Sequence, residues 1–328
     1  MKSPNLFKKL KRIVAIATII AFSSNPMCFA LPSGYTVRNG EVYITQPDGS
    51  TMNIKQMGNK AIIDWMRFCI ANGQTVNFLQ DSNAIILNRV TGGTISEIFG
   101  TLNATGRVWL LNPNGIIFGA NSSINAAGFL ASTLNMTNES FLDGSYIFTK
   151  AANGNGYIVN KGEIVAKDGG YVALLSGSVE NQGLVQAKLG KVILASGEKM
   201  TVQLDSLGMI SVAIDKEISS AIAGENGEEV KDAILNKGVI NGDGGTVILT
   251  ASVLKDIFEN AVNNDGLIKA TTLQNINGEI YLIANDRVKT TGELNAEGGK
   301  ITVDAQGADF SGTITASDGE YNMNDGDT

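Results

Sequence analysis

The chain has 328 residues, 43% of them hydrophobic, with 38 glycines, two cysteines, no histidine and a formal charge of −7. The apolar content excludes a disordered chain, and the acidic balance argues against a nucleic-acid partner or anionic lipid. The missing histidine removes every mechanism that needs an imidazole base, shuttle or ligand.

Residues 1–30 read as a secretory signal peptide. Lys2, Lys8, Lys9, Lys11 and Arg12 form a basic start, Ile13 to Phe22 an apolar run too short to span a bilayer, and Ala30–Leu31 the expected cleavage point. This leader holds five of the 25 basic residues and none of the 32 acidic ones, which leaves twenty against 32 and a net charge of −12. Cys69 is then the single remaining cysteine, so the exported chain is expected to lack an internal disulfide.

Residues 31–99 carry strand-like pieces ("GEVYITQ", "GQTVNF") without a regular frame, and are expected to hold an N-terminal cap and first strands. From residue 100 a repeat takes over. One pattern, Gly-x-(Ile/Val/Leu)-x-(Ala/Gly), occurs at Gly162, Gly183, Gly238, Gly266, Gly292 and Gly312. A second, Gly-x-(Val/Ile)-x-(Leu/Val), follows the first five of these, as in "GYVAL" at 170 and "GKVIL" at 190. The clearest spacings between first-pattern glycines are 21, 28, 26 and 20 residues. Short period-2 segments recurring at that length predict the coils of a parallel β-helix, with two strand signals per turn. From Gly100 to Ala316 there is room for roughly ten coils, about 48 Å at ~4.8 Å per coil.

"LLNPNGIIFG" (110–119) lies where one inner strand ends and so occupies a corner of one coil. Pro113 presets φ at the second position of a turn, Asn114 and Gly115 tolerate turn geometry, and Asn112 can close an Asx-type bond. Trp109 falls on an outward position, to be exposed or covered by the cap or a loop. Residues 217–233 are polar and suit a short helix or an extruded loop. Residues 317–328 form an acidic tail expected to be disordered.

"LNRVTGG" (87–93), "GTLNATGRVWLLNPNGIIFGA" (100–120) and "INAAGFLAST" (124–133), in that order and spacing, resemble the filamentous-haemagglutinin N-terminal domain of two-partner secretion exoproteins. "NDGLIKA" (264–270) and "SVAIDKEI" (211–218) add to the likeness, which runs from about residue 35 to 285. The resemblance implies an all-β fold, a single-stranded right-handed parallel β-helix with an N-terminal β cap. The secretion-domain helix would span 100–285, with further coils at 286–316.

The resemblance further implies export through an outer-membrane TpsB-type barrel whose POTRA domains capture the extended chain, with no cofactor and no enzymatic activity. The signature positions carried over are Asn88, Arg89, Asn112, Pro113, Asn114 and Gly115, as transporter-recognition or folding residues. An adhesin-like product would meet a receptor or glycan on a host or neighbouring cell. One branch of the family has an Asn-Pro-Asn-Leu motif upstream; here that region reads "QDSNAIILN" and lacks it. The competing reading is a polysaccharide-binding or polysaccharide-degrading β-helix. Its candidate acids, Asp168, Asp243, Asp304 and Asp318, each sit near a turn without companions.

Overall fold

The structure, a computed structural model, describes residues 30–325 except 153, 155, 225, 226 and 317–320. The leader up to residue 29, Asp318 and the last three residues lie outside that set.

Three parallel ladders run the length of the molecule. In the first, inward apolar residues stack coil upon coil through Met52, Val76, Leu102, Ile124, Ile164, Val185, Ile240, Ile268, Leu294 and Ile314. The second contains Ile86, Val108, Phe129, Val172, Val192, Val247, Ile280 and Ile301 at its inward positions. Pairing along all three ladders is parallel, so the chain winds as a single-stranded β-helix.

The third ladder was not anticipated from the two glycine patterns. Its strands, such as Ile116–Phe118, Ile158–Asn160 and Val179–Asn181, are often three residues long and carry no glycine frame. What marks four of them is an asparagine two residues before the first-pattern glycines Gly162, Gly183, Gly238 and Gly266. Asn160, Asn181, Asn236 and Asn264 are 0% exposed, and each donates its Nδ2 to the Oδ1 of the next, at 2.8, 2.8 and 2.7 Å. Buried amides satisfied this way fix the register of four coils at one corner.

The repeated glycines do more than turn. A Cβ on Gly183 would lie 2.1 Å from the carbonyl oxygen of Gly162, and one on Gly245 2.2 Å from that of Gly190. Backbones at these corners approach too closely for any side chain, which is why glycine recurs in register.

Stacking begins at Thr51, and eight of the ten first-ladder strands lie at or beyond Thr101, fewer than length alone suggested. Two insertions lengthen the coils between them. The first holds a helix, α1 (Asn138–Asp143), whose N-terminus is capped by Thr137 Oγ1 accepting from Ser140 N at 3.1 Å. Gly144, at φ 86°, ends it. The strand Ile147–Thr149 then joins Lys199–Leu204 and Ile210–Lys216 of the second insertion in an antiparallel sheet. Residues 217–233 take the loop option; among the described residues they contain no helix, and Ile218 and Ile222 are buried.

The cap is the strand Ser33–Thr45, antiparallel to Thr51–Arg67 with register shifts around Asn39. Ala30 is exposed, whereas Leu31 is packed against the core, as are the half-buried Val42 and Ile44. Cys69 is fully buried and, in the full-length chain, is not a free thiol. At the other end, Tyr321–Asp325 pairs in parallel with Ile301–Ala305, so this part of the expected disordered tail continues the ladder.

Candidate functional site

The sequence motifs converge on one corner of the second and third coils. Arg107–Leu111 delivers the chain to the turn, and Ile116–Phe118 carries it away. Within the turn Gly115 N donates to Asn112 O at 3.1 Å, and Gly115 sits at φ 128°. Pro113 takes the second position, where a missing N–H costs nothing.

Asn112 is 0% exposed. Its Nδ2 donates to Thr94 O at 3.0 Å and Ser96 Oγ at 2.9 Å, while its Oδ1 accepts from Asn114 N at 3.0 Å. Asn114 is exposed, yet its Nδ2 donates to Gly92 O at 2.9 Å and Asn112 Oδ1 at 3.0 Å. Both amides of NPNG therefore clasp the "TGGT" turn one coil earlier. Gly92 cannot carry a side chain, because its Cβ would meet Met66 O at 2.1 Å.

Asn88 points into the coil, 0% exposed, and accepts the indole N–H of Trp65 at 3.0 Å. Its neighbour Arg89 points out. Its guanidinium pairs with Asp64 Oδ1 at 2.7 Å, and donates to Met136 O and Asn138 Oδ1, each at 2.9 Å. The other Asp64 oxygen accepts Arg38 Nε of the cap strand at 2.7 Å. A single carboxylate, 8% exposed, thus joins cap and coil, and Arg89 ties both to the first insertion. Lys60 adds a second tie, its Nζ donating to Phe141 O (2.7 Å) and Leu142 O (3.0 Å) near the C-terminus of α1.

Trp109 lies on the outward face beside this corner and is 0% exposed. The insertions cover it: Phe141, Tyr146 and Phe148 pack at ring-centroid distances of 5.7, 4.8 and 5.9 Å. Its Nε1–H donates to the buried Tyr171 hydroxyl at 2.8 Å, and burial pushes that phenol above its ordinary pKa. A second apolar core results, outside the coil, which no repeat frame forecasts.

The two insertions meet at Glu198, 6% exposed. Burial works against its charge, but Lys216 at 2.7 Å, Ser219 at 2.8 Å and Lys150 at 3.2 Å more than offset this and hold its pKa at about 2. A depressed carboxylate stabilises the fold above its ordinary value of 4.5, and that contribution is lost as pH falls through about 2. Thermal melts of wild type and Glu198→Gln are therefore expected to converge between pH 4.5 and 2. A gap that persists unchanged to pH 2 would contradict this assignment.

The acids of the competing reading do not assemble. Asp168 and Asp304 are exposed and apart, and Asp243 is paired with Lys269 at 2.8 Å and with Thr271. Among the described residues there is no cluster of three or more acidic, cysteine or histidine groups suited to a metal.

A family model described as the TPS secretion domain matches residues 29–299. Two curated heme/hemopexin-binding proteins of Haemophilus influenzae are 35% identical over 78% of this chain and 33% identical over 87%. The chain spans 27% and 31% of their lengths. Among solved structures, the HMW1 secretion domain of Haemophilus influenzae has a TM-score of 0.69 at 26% identity, covering 87% of this chain and 84% of that one. The filamentous hemagglutinin secretion domain has a TM-score of 0.53 at 15% identity, covering 90% and 99%, a likeness of fold alone.

Proposed function

From a chain that belongs to the TPS secretion domain family, a two-partner secretion exoprotein with an N-terminal secretion domain, we propose that the capped β-helix is an export address. A cognate outer-membrane barrel reads it in the periplasm as an extended chain, and it becomes a folded body outside. The observation that carries this reading is the burial of Asn88 and Asn112. Both are 0% exposed and Arg89 is bonded to Asp64, Met136 and Asn138, so a transporter can touch these side chains only before they fold.

An unfolded β-helix offers many unpaired strands to a partner that binds by strand addition. Folding outside then withdraws those edges and favours one-way passage. The work of the chain after export is adhesin-like presentation of long flat faces, and no cofactor or catalytic group enters it. Heme or hemopexin binding is the named property of two longer proteins, of which this chain spans 27% and 31%.

Co-expression with the cognate barrel tests the proposal. The protein is expected in the medium with the barrel and in the periplasm without it. Wild-type protein that stays periplasmic with its barrel would overturn the export reading and restore the polysaccharide-binding alternative.

A further inference from the structure

The corner formed by Asn112–Gly115 takes partners from both directions along the chain. Gly92, Thr94 and Ser96 come from the preceding coil. The rest arrive later. Ser132 O accepts Asn112 N–H at 2.9 Å, and Tyr157 O accepts the Ile116 N–H at 3.0 Å. Gly156 lies so close that a Cβ there would be 2.6 Å from Pro113 O and 2.8 Å from Gly115 N. Arg89 likewise needs Met136 O and Asn138 Oδ1. Between Ser132 and Tyr157 the chain leaves the coil to build α1 and the strand Ile147–Thr149.

Ile116 is 0% exposed. Closing the corner before Tyr157 arrives would bury its amide without an acceptor, an arrangement folded chains avoid. We propose that the described residues of the first insertion, returning to the coil through Gly156 and Tyr157, are the closing element of the NPNG corner, and that Gly156 and Tyr157 are positioning residues of the export determinant although both lie outside its motifs. The corner stays open while the coils around it pair, and it locks when the insertion returns. In a chain delivered N-terminus first, the corner therefore closes outside only after Tyr157 has emerged. This last consequence rests on the export reading; the order of folding does not.

The test is pulse-labelled hydrogen exchange during refolding of the full mature chain. The Asn114 and Gly115 amides bond within the corner, to Asn112 Oδ1 and Asn112 O, and need no insertion atom themselves. Their timing reports closure. Arg107 and Ala127 amides, bonded to Ala84 O and Gly106 O, report coil pairing, and the Asn135 amide, bonded to Thr149 O, reports the insertion. Asn114, Gly115 and Ile116 are expected to gain protection with Asn135, after Arg107 and Ala127. Protection of Asn114 and Gly115 together with Arg107 would overturn the proposal.

Gly156→Ala should delay corner protection at least tenfold and leave Arg107 and Ala127 unchanged. Tyr157→Phe, which keeps the carbonyl, should match wild type. Equal delay of all amides in Gly156→Ala would also overturn it, and if that variant does not fold the wild-type order decides. The refolding experiment contains no transporter, so its failure is separate from a failure of export.

Discussion

Replacing Trp109 with alanine is expected to strip the insertions from the coils. The indole is 0% exposed, makes ring contacts with Phe141, Tyr146 and Phe148, and donates to Tyr171. Buried tryptophan-to-alanine changes cost about 3–5 kcal/mol, and here the phenolic oxygen of Tyr171 also loses its donor. The damage should be local, because the inward ladder through Val108 is untouched by the substitution. Urea unfolding should show a loss of about 4 kcal/mol, with proteolysis cutting first within 133–157. A loss below about 1 kcal/mol would mean that the outer core contributes little to holding the insertions.

Asn181→Ala is the second large effect, and it acts inside the coil. The side chain accepts from Asn160 Nδ2 and donates to Asn236 Oδ1, so its removal leaves buried polar groups short of partners on both neighbouring coils. At about 1–3 kcal/mol for each, the expected cost is about 3 kcal/mol. Asn125→Ala is the control, since that residue is exposed and its side chain donates to Ser123 on the same strand. Calorimetric melts should separate the two clearly. Similar melting temperatures would show that the asparagine ladder is decoration on a helix held by its apolar stack.

The β-helix was legible because its physics is periodic. Residues such as Ile164 and Val185 recur one coil apart, and the glycines beside them mark where backbones stack too closely for a Cβ. The third ladder was hidden because three-residue strands leave no readable alternation, although Asn160, Asn181, Asn236 and Asn264 stand at a constant offset from the glycine repeat. That offset could have revealed it.

The corner was half legible. Asn112's Asx bond follows from local turn chemistry, but its clasp on Thr94 and Ser96 requires knowing that Arg89 pairs with Leu111, one coil on. NRVTGG and NPNG are two sides of one contact, separated by a single turn of the helix. The outer core was legible only as one of two options for Trp109, exposed or covered by the cap or a loop. Trp109 reads as an outward residue, and what covers it comes from insertions that break the repeat instead of following it.

The central claim is that the motif residues act by building the fold that follows export. The most direct test compares wild type with Asn112→Ala/Asn114→Ala for secretion through the cognate barrel and for refolding of the purified chains. The account predicts a double variant that reaches the medium poorly and also refolds to a less stable state, with the two losses in step. A variant that refolds with wild-type stability and yet remains in the periplasm would contradict it, and would make Asn112 and Asn114 residues that the transporter reads in the extended chain.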